Sequence, residues 1–142
     1  MSGLDWHRIK VGDAITPMHL DVTATRVVAG AIATRDFMPV HHDRAYANSQ
    51  GAPEIFMNIM TDNAYCSRFL TDWAGSAAMV KKIAIRLGVP ATAGSTLDFT
   101  GTVTATSQSG TEGLVEIAFR ATNHQGDHLS GTAVLALPLE AR

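Results

Sequence analysis

The clearest period in the chain is two. From 96 to 106, "TLDFTGTVTAT", residues Leu97, Phe99, Gly101, Val103 and Ala105 alternate with Thr96, Asp98, Thr100, Thr102 and Thr104. That is the pattern of a strand with one face in a core and the other in water. It recurs in "KKIAIRLG", where Ile83, Ile85 and Leu87 alternate with Lys82, Ala84 and Arg86, and in "LVEIAFRA", where Val115, Ile117 and Phe119 alternate with Glu116, Ala118 and Arg120. "LSGTAVLAL" near the end repeats it, and "SQSGTEG" and "NHQGDH" are glycine-centred links of hairpin length between these runs. An earlier run, "HLDVTATRVVAGAIA", is rich in β-formers but less regular, and reads as the first strand. The pattern predicts about five strands, most of them late in the chain.

Between the first strand and the late ones the period changes. "PEIFMNIMTDNAYCSRFLTDWAG" (53–75) places Pro53 and Glu54 where a first helical turn favours them, and Gly75 where a helix stops. Ile55, Phe56, Ile59, Met60, Cys66, Phe69, Leu70 and Trp73 form a stripe broad enough to predict a largely enclosed helix. At about 20 residues it would be roughly 30 Å long. Asp62, Arg68 and Asp72 are incompatible with a membrane span. A strand, one long helix and then an antiparallel sheet describe an α+β architecture in which the sheet wraps the helix. With 142 residues and no internal repeat, a single domain over 1–142 is expected.

Composition narrows the function classes. Net charge is −2 with 11 Lys and Arg, and the longest basic run is Lys81-Lys82. A nucleic-acid partner is therefore not expected. Cys66 is the only cysteine, which leaves no intrachain disulfide or cysteine-cluster zinc site and suits a reducing cytoplasm. "MSGLDWHRIKVGD" carries Asp5, His7, Arg8 and Lys10 without an apolar run, so neither a signal peptide nor a membrane anchor is expected there.

The candidate chemistry lies in "TRDFMPVHHDRAYA" (34–47), separated from the long helix by "NSQGA". Its side chains should sit near that helix's N-terminus, where unpaired N–H groups favour developing negative charge. Asp36 and His41 stand five apart around Pro39, a spacing that lets both converge on one point. A carboxylate and an imidazole can hold one water between them and move its protons, the equipment for adding water to a polarised double bond. The same residues also suit a polar turn, with Asp36 as a cap and His41 as a satisfied loop residue, and residue types alone leave both readings open. His41, His42 and Asp43 do not make a metal set, because adjacent histidines rarely aim at one ion and no third ligand cluster is near. Asp43 reads as the N-cap of a short "RAYA" turn of helix, and Cys66 as core. The chain has no G-x-S-x-G and no glycine-rich phosphate loop after a strand.

"RDFMPVHHDRAYA" resembles the hydratase motif of the MaoC-like, hotdog-fold enoyl-CoA hydratases, which reads roughly G-D-x-N-P-[LIV]-H-x-D-x-x-[AY]-A. Asp36, Pro39, Val40, His41, Asp43 and Ala47 match; Arg35 stands in place of the usual Gly and Met38 in place of the usual Asn. "KVGDAITP" is similar to the family's opening. The blocks "ATRDF", "VHHDR", "IFMNIMTD", "TDWAG" and "RLGVP" are similar to one branch, the small catalytic subunit of the steroid side-chain enoyl-CoA hydratases of bacterial sterol and bile-acid breakdown.

The resemblance implies a single hotdog domain, with Asp36 as the general base on water and His41 as its partner, orienting that water and supporting proton delivery to the α-carbon. It implies a backbone N–H at the start of the central helix, here at Asn58, as donor to the thioester oxygen. No metal and no redox cofactor are implied; coenzyme A arrives as part of the substrate. The partner implied is a second, non-catalytic hotdog subunit in a heterodimer or two-plus-two heterotetramer, with a homodimer as the form of this chain alone, since an open edge and an apolar tunnel wall need cover. An (R)-specific fatty enoyl-CoA hydratase or a hotdog acyl-CoA thioesterase is the alternative within the fold, and a non-catalytic acyl-CoA binding subunit the alternative outside catalysis.

Overall fold

The computed structural model of the chain describes residues 4–139. Its elements in order are strand β1 (Met18–Asp21), helix α1 (Ala24–Ala33), short helix α2 (Arg44–Ser49), helix α3 (Ile59–Ala74), and strands β2 (Met79–Leu87), β3 (Thr96–Ser109), β4 (Glu112–Asn123) and β5 (Gly126–Pro138). The five strands form one antiparallel sheet in the order β1-β3-β4-β5-β2. Two-residue links join the central three: Ser109 pairs with Glu112 across Gly110, whose φ of 59° is the left-handed value such a turn requires, and Asn123 pairs with Gly126.

The alternation read from the sequence sorts the sheet into two faces. Leu97, Phe99 and Val103 of β3, Val115, Ile117, Phe119 and Ala121 of β4, and Leu129, Ala133, Leu135 and Leu137 of β5 are buried, and α3 packs on them through Cys66, Phe69, Leu70 and Ala74. The Phe69 ring lies 5.7 Å from Phe99 and 6.3 Å from Phe119. Each large side chain removed from water in this way contributes about 1.5–3 kcal/mol. At the far end of β3 the register slips between Val103 and Ala105, so Ala105 is only half-buried where strict alternation predicts an inward residue.

Three expectations need correction. The run "HLDVTATRVVAGAIA" is not one strand: β1 stops at Asp21 and α1 occupies most of the rest. The Thr23 side chain accepts the Arg26 N–H and opens the helix, and Val27 and Ala31, four apart, bury one side of it. Capping and tertiary burial override the β-preference of the valines here. Secondly, the long helix does not begin at Pro53. The chain bends at Pro53 and Glu54 and then runs beside residues 91–93: Met57 N–H donates to the Ala91 carbonyl at 3.0 Å and Ala93 N–H to the Ile55 carbonyl at 2.8 Å. Asn58 caps α3, its Oδ1 accepting the Thr61 N–H at 3.0 Å, so the helix has 16 residues and is about 24 Å long. Gly75, with φ 85°, ends it as expected. Thirdly, α3 is enclosed on one face only: Ile59 and Met60 are 49% and 57% exposed, because they lie in the first turn, beyond the sheet's buried surface. None of the described helices is long and apolar enough to cross a membrane.

Candidate active site

Three segments meet at the start of α3. The first is the end of α1, where the N–H of Arg35 bonds to the Ile32 carbonyl and that of Asp36 to the Ala31 carbonyl, at 3.1 and 2.9 Å. This double closure requires a left-handed residue between the helix and Asp36, and Arg35, at φ 55°, is that residue. The chain turns sharply there, and Asp36 follows on the helix-end scaffold. Just before it, Thr34 caps α1 and turns its hydroxyl back onto the Gly30 and Ala31 carbonyls.

The second segment is a tight turn, Pro39–His41, whose fixed Pro φ suits its first position. It buries Val40 and the His41 ring. His41 Nδ1–H donates to the Phe56 carbonyl at 2.7 Å, and the ring stands edge-on to Phe56 with centroids 5.2 Å apart. That bond fixes the ring's orientation and leaves Nε2 facing Asp36 Oδ2 at 3.3 Å. His42, next in sequence, is exposed, and Asp43 accepts the Tyr46 N–H as cap of α2, as the sequence predicts, so the three do not gather.

The third segment is Asn58. Its Nδ2 donates to Asp36 Oδ2 at 2.9 Å and to Thr34 Oγ1 at 2.8 Å, while Oδ1 is taken by the cap of α3. Asp36, His41 and Asn58, the three residues singled out in the sequence, are thus brought together. The Asn58 amide hydrogen bond, above all, holds the Asp36 carboxyl below the ordinary carboxylate range; the Met38 N–H and the His41 ring act the same way, against a smaller opposing effect of burial. Asp36 therefore stands as a carboxylate near neutral pH, about a third exposed, with its Oδ1 engaged only by a long 3.3 Å bond from Met38 N–H. The imidazole beside it is buried. Such a pair can hold a water and take its proton.

Close approach of α1 and α3 makes the meeting tight. A Cβ at Gly30 would fall 2.4 Å from Thr61 Oγ1, a distance no side chain tolerates. Exposed apolar side chains lie close to the pair in sequence: Ile32 before it, Phe37 and Met38 between its two members, and Ile59 and Met60 just after Asn58.

Sequence reasoning missed the side-chain work of Asn58 and Thr34. The Asn-x-x-Thr spacing could have signalled a cap, but not that the amide reaches back 22 residues. It also missed a second acid–histidine pair. Asp62 of α3 and His128 of β5 are almost fully buried, with Oδ1 and Nε2 3.0 Å apart, and His128 Nδ1 bonds to the Val89 carbonyl at 2.7 Å. Asp62 Oδ2 has no hydrogen-bond partner among the described residues. One turn along α3, burial and then the Asp62 charge push the Cys66 thiol up to about 12, so this cysteine is inert core.

No family model matches the sequence. The chain is 42% identical over 127 residues to the 3-oxo-4,17-pregnadiene-20-carboxyl-CoA hydratase beta subunit of Mycobacterium tuberculosis, covering 89% of this chain and 95% of the relative. Among solved structures, a chain of the ChsH1-ChsH2 complex from the same organism superposes with a TM-score of 0.84 at 42% identity, over 90% of this chain and 98% of that one. The R-hydratase PhaJ1 of Pseudomonas aeruginosa shares the fold alone, with a TM-score of 0.87 at 21% identity over 98% of this chain and 88% of that one. A sheet wrapped around α3, an Asp36–His41 pair at the start of that helix, and this degree of identity over nearly the whole length place the chain in the MaoC-like hotdog hydratases, within the steroid side-chain enoyl-CoA hydratase family.

Proposed function

We propose that this chain is the catalytic subunit of a hydratase that adds water across the α,β double bond of a steroid side-chain enoyl-CoA. The observation that carries the reading is the convergence of Asp36 and His41 beside the N-terminus of α3. The reacting water is held by Asp36 Oδ1 beside the His41 ring, which the Phe56 carbonyl fixes so that it orients that water. As the water oxygen bonds to the β-carbon, Asp36 accepts one of its protons. Charge then builds on the thioester oxygen, where the Asn58 backbone N–H, at the positive end of α3, is the donor. The proton held on Asp36 passes to the α-carbon with support from His41, so H and OH arrive on one face and the carboxylate is restored. No cofactor takes part in these steps.

The steroid assignment is supported by the substrate in the relative's name and by the exposed apolar side chains Ile32, Phe37, Met38, Ile59 and Met60 on the segments that carry Asp36 and Asn58, which suit a fused ring system better than charged residues would. A second hotdog subunit is supported by three observations: the relative is a beta subunit, its structural counterpart belongs to a two-component complex, and β2 leaves one long edge of this sheet unpaired among the described residues. The assembly is two catalytic and two non-catalytic subunits, with a homodimer when this chain is made alone. Each catalytic subunit contributes one domain spanning 1–142. A lone buried thiol suits the cytoplasm as its compartment.

The test follows loss of enoyl-thioester absorbance with a steroid enoyl-CoA and with crotonyl-CoA, in the presence of the partner subunit. Asp36→Asn and His41→Ala are each expected to lower the rate by about 10²–10⁴-fold with circular dichroism unchanged. A near-normal rate in either variant would remove the assigned role. Turnover of crotonyl-CoA alone would overturn the steroid substrate, and release of free thiol would make the protein a thioesterase.

A further inference from the structure

We infer that the side chain of Asn58 is the positioning residue for Asp36: its amide fixes the carboxylate's rotamer and keeps Oδ1 turned toward the reacting water. The inference rests on the hydratase reading, and it is separate from the part given above to the Asn58 backbone N–H.

Asn58 is a four per cent exposed polar residue whose amide oxygen and both amide hydrogens are engaged. Oδ1 takes the Thr61 N–H in α3, and the two Nδ2 hydrogens go to Thr34 Oγ1 at the end of α1 and to Asp36 Oδ2. An amide spread over three anchors cannot rotate without breaking at least one of them. Asp36 has little else to hold it. Met38, standing where the resembling motif has Asn, offers only its backbone N–H, at 3.3 Å, and His41 lies at 3.3 Å on the oxygen that Asn58 already holds. The shortest bond to the carboxylate, and the one that decides which oxygen is left free, is therefore the one from Asn58. Thr34 is the brace behind it: its hydroxyl donates to the Gly30 carbonyl at 2.8 Å, so its lone pair faces the amide. The chain that runs from α1 through Thr34 and Asn58 to Asp36 lets the packing of two helices set the direction of one carboxylate. His41 is the titratable side chain that faces Asp36, so a change at Asn58 reads out on this one pair.

The experiment uses Asn58→Asp and Asn58→Ser in the full chain with its partner. Both replacements keep an oxygen that caps α3, and neither reproduces the amide donor. Thr34→Val, which removes the brace and leaves Asn58 in place, serves as the variant independent of the cap. Expected are a kcat lower by about 10- to 100-fold in the Asn58 variants, with KM little changed, and an acid limb of the pH–rate profile moved upward, furthest in Asn58→Asp. Thr34→Val should move the same limb in the same direction by less. A carbon-13 titration of the Asp36 carboxyl should show the same upward order without any turnover. Unchanged kcat and an unmoved Asp36 titration in the Asn58 variants would overturn the inference even if wild type hydrates well. A wild type inert toward both substrates would instead sink the hydratase reading, and the carboxyl titration would still decide on Asn58.

Discussion

Arg35 carries a cost that its neighbours do not. At φ 55° its Cβ crowds the following carbonyl, which costs about 1–2 kcal/mol for a residue other than Gly. The position tolerates this because two backbone bonds close the end of α1 around it. Arg35→Gly should therefore stabilise the protein by about 1 kcal/mol, the steric gain exceeding the entropy of a freer unfolded chain. Thermal denaturation would show a midpoint higher by about 2–5 °C, and a lower midpoint would mean that the Arg35 side chain makes a contribution beyond its backbone. At this scale much of the site was legible: Asp36, His41 and Asp43 lie within one short motif, and Pro39 opens the tight turn between the first two. The part that was not legible lies across sequence distance. An asparagine before "IMT" announces a cap made by its amide oxygen, but which groups its amide hydrogens reach depends on how α1 lies against α3.

Elements were read with unequal success for a physical reason. Strands β3 and β4 have one face against α3 and one in water, so period two is written plainly along them, whereas β5 buries consecutive residues at 128–129 and 135–137 and alternates only between. Helix α1 is short and buries only Val27 and Ala31 deeply, which leaves no stripe to outweigh its β-branched composition. The true start of α3 was hidden because Ile55 and Met57 are buried as part of an extended segment bonded to residues 91–93, and burial alone does not distinguish strand from helix. The Asp62–His128 pair belongs to this scale, since it ties α3 to β5 through the core. Burial by itself lowers the His128 imidazole, but the hydrogen bond and charge of Asp62, with the Val89 carbonyl, outweigh it and leave its pKa above the ordinary value. A histidine raised in the folded state contributes its stability fully below its unfolded pKa of about 6.5 and loses it as pH rises through the folded value. Urea denaturation should accordingly find wild type weakening from near neutral pH upward. Exposed His19, raised chiefly by its bond to Asp98, adds a trend of the same sign, so the difference between wild type and an Asp62→Asn/His128→Gln double variant isolates the buried pair. His128→Ala alone should cost about 3–5 kcal/mol by leaving a carboxylate buried without its partner. Parallel pH curves for wild type and the double variant would remove the pair from this account.

In the whole molecule, β3, β4 and β5 form a meander joined by two-residue links, whereas β1 reaches β3 and β2 reaches β5 across long stretches of chain. Everything that makes the site, from Thr34 to Thr61, lies in the connection between the two outer strands. The order of assembly follows from loop-closure entropy: the meander can zip from its turns, while the outer strands and the helices between them must first close large loops. Native-state hydrogen exchange should therefore find the amides of β3–β5 opening only with the whole protein, and the N–H groups of His41, His42 and Asp43 opening through smaller local excursions. Equal protection in both regions would contradict this. The arrangement means that a newly made chain passes through a stage with a complete sheet centre and no reactive carboxylate, and that its chemistry is the last thing folding delivers and the first that unfolding withdraws.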